Sequence, residues 1–149
     1  MTTVLLTGAS GFLGTQAARK LLQDPALSLI AIVRAETRES ALRRLSRVWW
    51  DWPELIEAIG TRVEVLCGDV AFPRLGLDAA TYTDLTTRVT HIVHTAADLR
   101  LNAPLDELRK TNVQGTAQVL ELAYAVQRDH GLTRLAHVWL PRGGQVGQP

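Results

Sequence analysis

The sequence predicts a doubly wound α/β fold, a parallel sheet of about five strands with helices on both faces. Three observations carry that expectation. Five short, nearly apolar runs are spread along the 149 residues, as suits strands buried on both faces. Longer amphipathic stretches separate them, and such alternation calls for parallel pairing through crossover helices. The first run ends in glycines at positions 8, 11 and 14, just where a helix begins.

In chain order, residues 3–7 (TVLLT) open the sheet and residues 12–23 follow as a helix. Residues 29–33 (LIAIV) form the second strand and 39–48 the next helix. The third strand is expected over 62–66 (RVEVL), with a smaller helix over 78–86. The fourth strand covers 91–94 (HIVH), and a long helix runs from about 105 to 128. In that helix Leu105, Leu108, Asn112, Gly115, Val119, Leu122 and Val126 fall on one stripe, and Gly115 marks a break or a close helix–strand contact. The fifth strand is expected over 135–140 (LAHVWL), and residues 141–149 read as an unstructured tail. Between the second helix and third strand, VWWDWP reads as a helix end packed on the sheet edge, each indole N–H partnered. The competing reading is a docking face for a neighbouring domain.

Composition narrows the function classes. Hydrophobic residues make up 46% and charged residues 21%, the balance of a soluble globular chain. A formal charge of +1, without a Lys/Arg run, argues against nucleic-acid binding. Cys67 is the only cysteine, so no internal disulfide is expected. No basic leader and no bilayer-length apolar run is visible, so a cytoplasmic, membrane-free domain is expected.

The residues with chemistry cluster at the ends of the strands. The stretch TGASGFLG joins a strand to a helix through glycines that leave backbone N–H groups open to a phosphate. The helix start adds unpaired N–H groups and partial positive charge, so a pyrophosphate is expected over Ser10, Gly11, Phe12 and Leu13. After the second strand stands Arg34 rather than an acid, which suits the 2′-phosphate of NADP(H); Arg44 on the next helix would add a second cation, against its plainer reading as a solvated helix residue. After the third strand, Asp69 and Val70 are candidates for adenine, against the plainer reading of Asp69 as a turn cap. After the fourth, small residues in HTAAD would let the chain pass a nicotinamide ribose. His91 and His94 find no third ligand at sensible spacing, so they read as strand histidines and no metal site is expected.

Taken together, VLLTGASGFLG, AIVRA with ALRRL, RVEVLCGDVAFPRLGL, HIVHTAAD and LRKTNVQGTAQVLELA resemble the extended short-chain dehydrogenase/reductase superfamily. Within it, the chain is most similar to thioester reductase domains. These end some nonribosomal peptide and polyketide assembly lines and carboxylic acid reductases, and fatty acyl-CoA reductases are relatives. The match covers roughly residues 3–138, and PRLGL with NVQGT separates the group from sugar epimerases better than the glycine turn does.

The resemblance implies a Rossmann-type domain in which NADPH delivers hydride to a thioester carbonyl on a carrier-protein arm or on CoA. It implies that Gly8, Gly11 and Gly14 with residues 10–13 hold the pyrophosphate, and that Arg34 and Arg44 hold the 2′-phosphate. Asp69 and Val70 would hold adenine, Ala96 and Ala97 line the nicotinamide side, and Asn112 order the hydrogen bonds or simply pack helix on sheet. The family's catalytic Ser/Thr and Tyr-x-x-x-Lys are not matched: Thr86 and Arg128 stand four residues after Tyr82 and Tyr124. No catalytic residue is therefore assigned. Residues 1–140 are expected to be an incomplete NAD(P)-binding domain, truncated or out of frame near 139, before the last strands and the substrate-binding part. The alternatives are a stand-alone NADP(H)-binding or interaction module and an epimerase-like enzyme. The fifth strand would offer an open sheet edge through which the chain self-associates.

Overall fold

The computed structural model describes residues 1–138. Its strands are β1 (Thr2–Thr7), β2 (Leu27–Val33), β3 (Val63–Cys67), β4 (His91–His94) and β5 (Arg134–His137), all parallel and ordered β3-β2-β1-β4-β5. The chain thus winds outward from β1 to β3, then crosses back over β1 to β4. Where the winding reverses, the connections leaving β1 and β4 diverge and open a crevice beyond the strand ends. Register brings those ends to one rim, with Thr7 paired to both Ile32 and His94, and Val33 to Cys67.

Alternating residues of each strand feed two cores, as the two-residue period of a strand requires. Val4, Leu6, Leu29 and Ala31 pack against Ala18 of α1 (Phe12–Leu21), Leu45 of α2 (Arg38–Val48) and Leu55 of α3 (Pro53–Ala58). Leu5, Ile30 and Ile92 face the other way, onto Leu85 of α4 (Ala79–Arg88) and Val119, Leu122 and Val126 of α6 (Gly115–Asp129). The doubly wound parallel sheet expected from the apolar runs is the fold observed. Local signals set the helix starts. Thr37 and Ser40 form a reciprocal capping box on α2. Asp78 is the N-cap of α4, its carboxylate accepting from the Thr81 N–H at 2.8 Å.

Several expectations are corrected. The six-residue α3 starts at a proline, where a missing N–H costs nothing, and was too short to show a period. The tryptophans do not act as one packed group at the sheet edge. Trp49 is buried beside the central strand, its indole N–H donating to Ala9 O at 3.2 Å. Trp52 lies under the Arg19 guanidinium, 3.4 Å from its ring centre, whereas Trp50 is 79% exposed.

The long helix is broken. α5 (Leu105–Arg109) passes through a π turn, Lys110–Gln114, into α6. Leu105 and Asn112 are exposed, and Asn112 leaves the expected stripe inside the π turn, whose extra residue rotates that face. Gly115 does make a close contact: a Cβ there would meet the Val70 side chain at 2.7 Å.

PRLG folds as a left-handed turn, with φ of 55° at Arg74, 57° at Leu75 and 68° at Gly76. Two non-glycine residues in that region are strained, and the surrounding packing has to hold them. Leu75 is fully buried and its carbonyl accepts the Asp69 N–H at 2.8 Å. The loop thereby folds back over the end of β3. Trp139, Leu140 and the expected tail over 141–149 lie outside the described residues.

Candidate functional site

A groove of about 850 Å³ opens over the rim where β1, β2, β3 and β4 end. Gly8, Ser10, Gly11, Phe12, Leu13, Gly14, Arg34, Arg44, Asp69, Val70, Ala96 and Ala97 all line it. These residues come from four separate connections, and the shared register of the strands brings them together.

The glycine turn is built by contact as much as by φ. Gly8 sits at φ 71°, and a Cβ on it would lie 2.5 Å from Thr95 Oγ1 and 2.7 Å from the Ala96 nitrogen. Gly14 lets α1 start directly on the Gly8–Ala9 backbone, since a Cβ would fall 2.6 Å from the Gly8 carbonyl carbon. Gly11 has an ordinary φ of −86° and serves as the N-cap of α1. No acidic side chain occupies the first turn of α1, so its unpaired N–H groups keep their positive end toward the groove.

At the β2 end, the exposed Arg34 and Arg44 side chains line the same wall. Arg44 donates to the Arg34 backbone carbonyl at 2.8 Å, and both residues line the groove. At the β3 end, Asp69 Oδ1 accepts the Ala71 N–H at 2.9 Å, so the turn-capping reading of Asp69 holds while it also lines the groove.

Asn112 does not line the groove, and it does not pack helix on sheet. Its side chain clasps Asp98: Oδ1 accepts the Asp98 N–H at 2.8 Å and Nδ2 donates to the Asp98 carbonyl at 3.0 Å. Sequence reasoning passed over Asp98, Leu99 and Arg100, which line the groove, and Thr7 beneath the glycine turn. Arg100 hydrogen-bonds both carboxylate oxygens of Asp98 and also reaches Glu107 at 2.9 Å. The Arg100 guanidinium holds the Asp98 carboxyl down at about 2, and Arg34 adds to that pull. A two-residue Asp-x-Arg spacing in a loop was the available signal, and it is too common to single out a site. Tyr82 on α4 and Tyr124 on α6 are not among the groove-lining residues.

His94 lies under the groove, almost fully buried, with Thr7 Oγ1 at 2.6 Å from Nδ1 and Thr116 Oγ1 at 3.1 Å from Nε2. The His137 ring stacks on it at 4.7 Å. Burial, and secondarily His137, pushes its pKa down to about 4 from an ordinary 6.5. The unfolded chain therefore takes up this proton first, and acid favours unfolding between those two values. Up to roughly 3 kcal/mol of stability is expected to disappear as pH falls from 6.5 towards 4. Urea denaturation at several pH values checks this, and a His94→Asn variant should lose that part of the slope.

A smaller hollow of about 460 Å³, lined by Arg19, Lys20, Glu54 and Arg62, lies away from this rim. There Arg62 ties down the carbonyls of Leu22, Asp24 and Leu27, a structural task. No group of three metal-binding side chains occurs among the described residues, and no helix there is long and apolar enough to cross a membrane.

Fold and groove together define a dinucleotide-binding domain of the doubly wound class. Within that class the chain belongs to the NAD-binding family described as male sterility protein, whose model matches residues 6–138. It is 39% identical over 127 residues to the L-2-aminoadipate reductase large subunit of Penicillium chrysogenum, covering 80% of this chain and 9% of that one. Among solved structures it resembles the terminal R domain of the myxalamid pathway, with a TM-score of 0.78 and 28% identity, covering 92% of this chain and 34% of that one. A reductase domain of a nonribosomal peptide synthetase from Mycobacterium tuberculosis matches with a TM-score of 0.75 and 36% identity, covering 92% and 32%. The thioester reductase family expected from the motifs is the family found. The chain spans about a third of those solved domains and about a tenth of that curated relative.

Proposed function

We propose that residues 1–140 are the NADPH-binding part of a thioester reductase. In the full reaction, NADPH and a proton convert an acyl thioester to an aldehyde and a free thiol, leaving NADP⁺. A second hydride and proton would give the alcohol. The thioester would be carried on an acyl carrier protein or on CoA.

This chain's own residues bind and orient the cofactor. The glycine turn and the first turn of α1 receive the pyrophosphate, Asp69 and Val70 the adenine, and Ala96 and Ala97 leave room beside the nicotinamide. Hydride transfer creates an oxyanion that needs a nearby acid. No tyrosine here is followed by lysine four residues on, so the chain alone binds cofactor without turning it over.

The observation that supports the choice of NADPH is that Arg34 and Arg44 both line the β2 wall of the groove, with no acid at that strand end. Two guanidinium groups there suit a 2′-phosphate dianion, and a free ribose hydroxyl gains nothing from them. Titration of the protein with NADPH and NADH, followed by nicotinamide fluorescence, should show NADPH preferred by at least about tenfold. Arg34→Ala with Arg44→Ala should erase most of that preference and leave NADH binding unchanged. Equal affinity of the unaltered protein for both cofactors would sink the assignment.

A further inference from the structure

We propose that His94 is a positioning residue of the cofactor groove, fixed with its hydrogen on Nε2, that links the glycine turn to the Asn112 clasp on the loop after β4. The inference rests on the reading of the groove as an NADPH site, and it goes beyond that reading by assigning a role to a buried group that touches no cofactor.

The tautomer follows from counting donors. A threonine hydroxyl offers one hydrogen and two lone pairs. Thr7 Oγ1 already accepts the Thr95 N–H at 3.2 Å and the Ala96 N–H at 3.3 Å. Its own hydrogen must therefore go to His94 Nδ1, 2.6 Å away. Nδ1 is bare, and the ring hydrogen sits on Nε2. From there it donates to Thr116 Oγ1 at 3.1 Å, whose hydroxyl donates to the Asn112 carbonyl at 2.8 Å.

The result is a continuous line of hydrogen bonds with His94 at its centre. One end orders Thr95 and Ala96, the start of the groove-lining loop. The other orders Asn112, whose side chain holds Asp98 two residues further along that loop. Asn112 lies within the π turn, and its carbonyl accepts from the Thr116 hydroxyl one turn on. Any buried histidine needs its ring nitrogens paired, so what distinguishes this one is where its partners lead. Its partners, Thr7 on β1 and Thr116 on α6, each lead by further hydrogen bonds to the loop after β4, at Thr95 with Ala96 and at Asp98.

Three measurements test the proposal. In ¹⁵N NMR of the cofactor-free protein, His94 should show a bare Nδ1 and a protonated Nε2 at pH 7, and the opposite tautomer would overturn it. His94→Phe keeps the ring's bulk and deletes both contacts, so NADPH should bind about tenfold more weakly and the Asp98 amide should exchange faster. Asn112→Ala, at an exposed position, should weaken NADPH comparably even if the His94 variant does not fold. The double variant should be little worse than either single one, since both cut the same line. His94→Gln, which can still donate toward Thr116, should recover part of the affinity. Unaltered NADPH affinity in His94→Phe and Asn112→Ala, with the natural protein binding normally, would reduce His94 to core packing. Failure of the natural protein to bind NADPH would instead strike the groove assignment, and the tautomer and exchange results would still decide the role of His94.

Discussion

Gly14→Ala is expected to cost upward of about 4 kcal/mol and to abolish dinucleotide binding. The new Cβ would lie 2.6 Å from the Gly8 carbonyl carbon and 2.9 Å from Ala9 Cα. All of these are backbone atoms, so no side chain can swing aside. Relief requires α1 to move off the sheet, which opens the packing of Ala18 and drags the first-turn N–H groups from the place a phosphate would occupy. Gly11→Ala is the control within the same motif. Its φ is −86°, and its nearest neighbour would stand 3.3 Å away, so it should lose less than about 1 kcal/mol. Urea denaturation of both variants, with NADPH titration, separates the two cases. If Gly14→Ala folds and binds like Gly11→Ala, the contact geometry described for the glycine turn is wrong.

Trp49→Ala is expected to destabilise the domain by about 3–5 kcal/mol, the range for removing a large buried aromatic. Trp49 is fully buried among the helices of one face, and its indole is the donor to Ala9 O inside the glycine turn. The truncation leaves a cavity and takes away a partner of a buried carbonyl. Trp49→Phe keeps most of the volume and removes only the hydrogen bond, so about 1 kcal/mol should suffice there. Its more telling effect should be on NADPH affinity, because the turn loses a brace. Trp50→Ala, at an exposed position, should change stability by less than about 0.5 kcal/mol.

Much of the site was legible from the chain. Strand ends in an α/β sheet announce themselves by an apolar run stopping at small, glycine-rich or charged residues, and each of the four connections had such a stop. Gly8, residues 10–14, Arg34, residues 68–70 and residues 95–97 line one groove for that reason. Three kinds of feature were not legible. Short elements such as α3 show no period. The left-handed PRLG turn places Arg74 and Leu75 where their residue types are disfavoured, so local propensity points away from it. Contacts at long separation, such as His94 with Thr7 and Thr116, leave no mark in a single sequence.

Asn112 illustrates the limit. The helical spacing placed it on the inward stripe, and the family resemblance gave it the site's hydrogen bonds. The π turn rotates it outward, and the bonds it makes are to the backbone of Asp98.

By itself, the sequence determined the class of fold and which residues stand at each strand end, because strand burial, the glycine spacing and the arginines after β2 act through nearest neighbours. Tertiary structure alone decided which side chains brace the groove. Trp49 reaches Ala9, His94 joins Thr7 to Thr116, and Leu75 closes over Gly68 and Asp69 only after packing has brought those segments within hydrogen-bonding distance. Such contacts depend on sheet order and helix rotation, and these are settled by how the two cores fill rather than by any local run of residues.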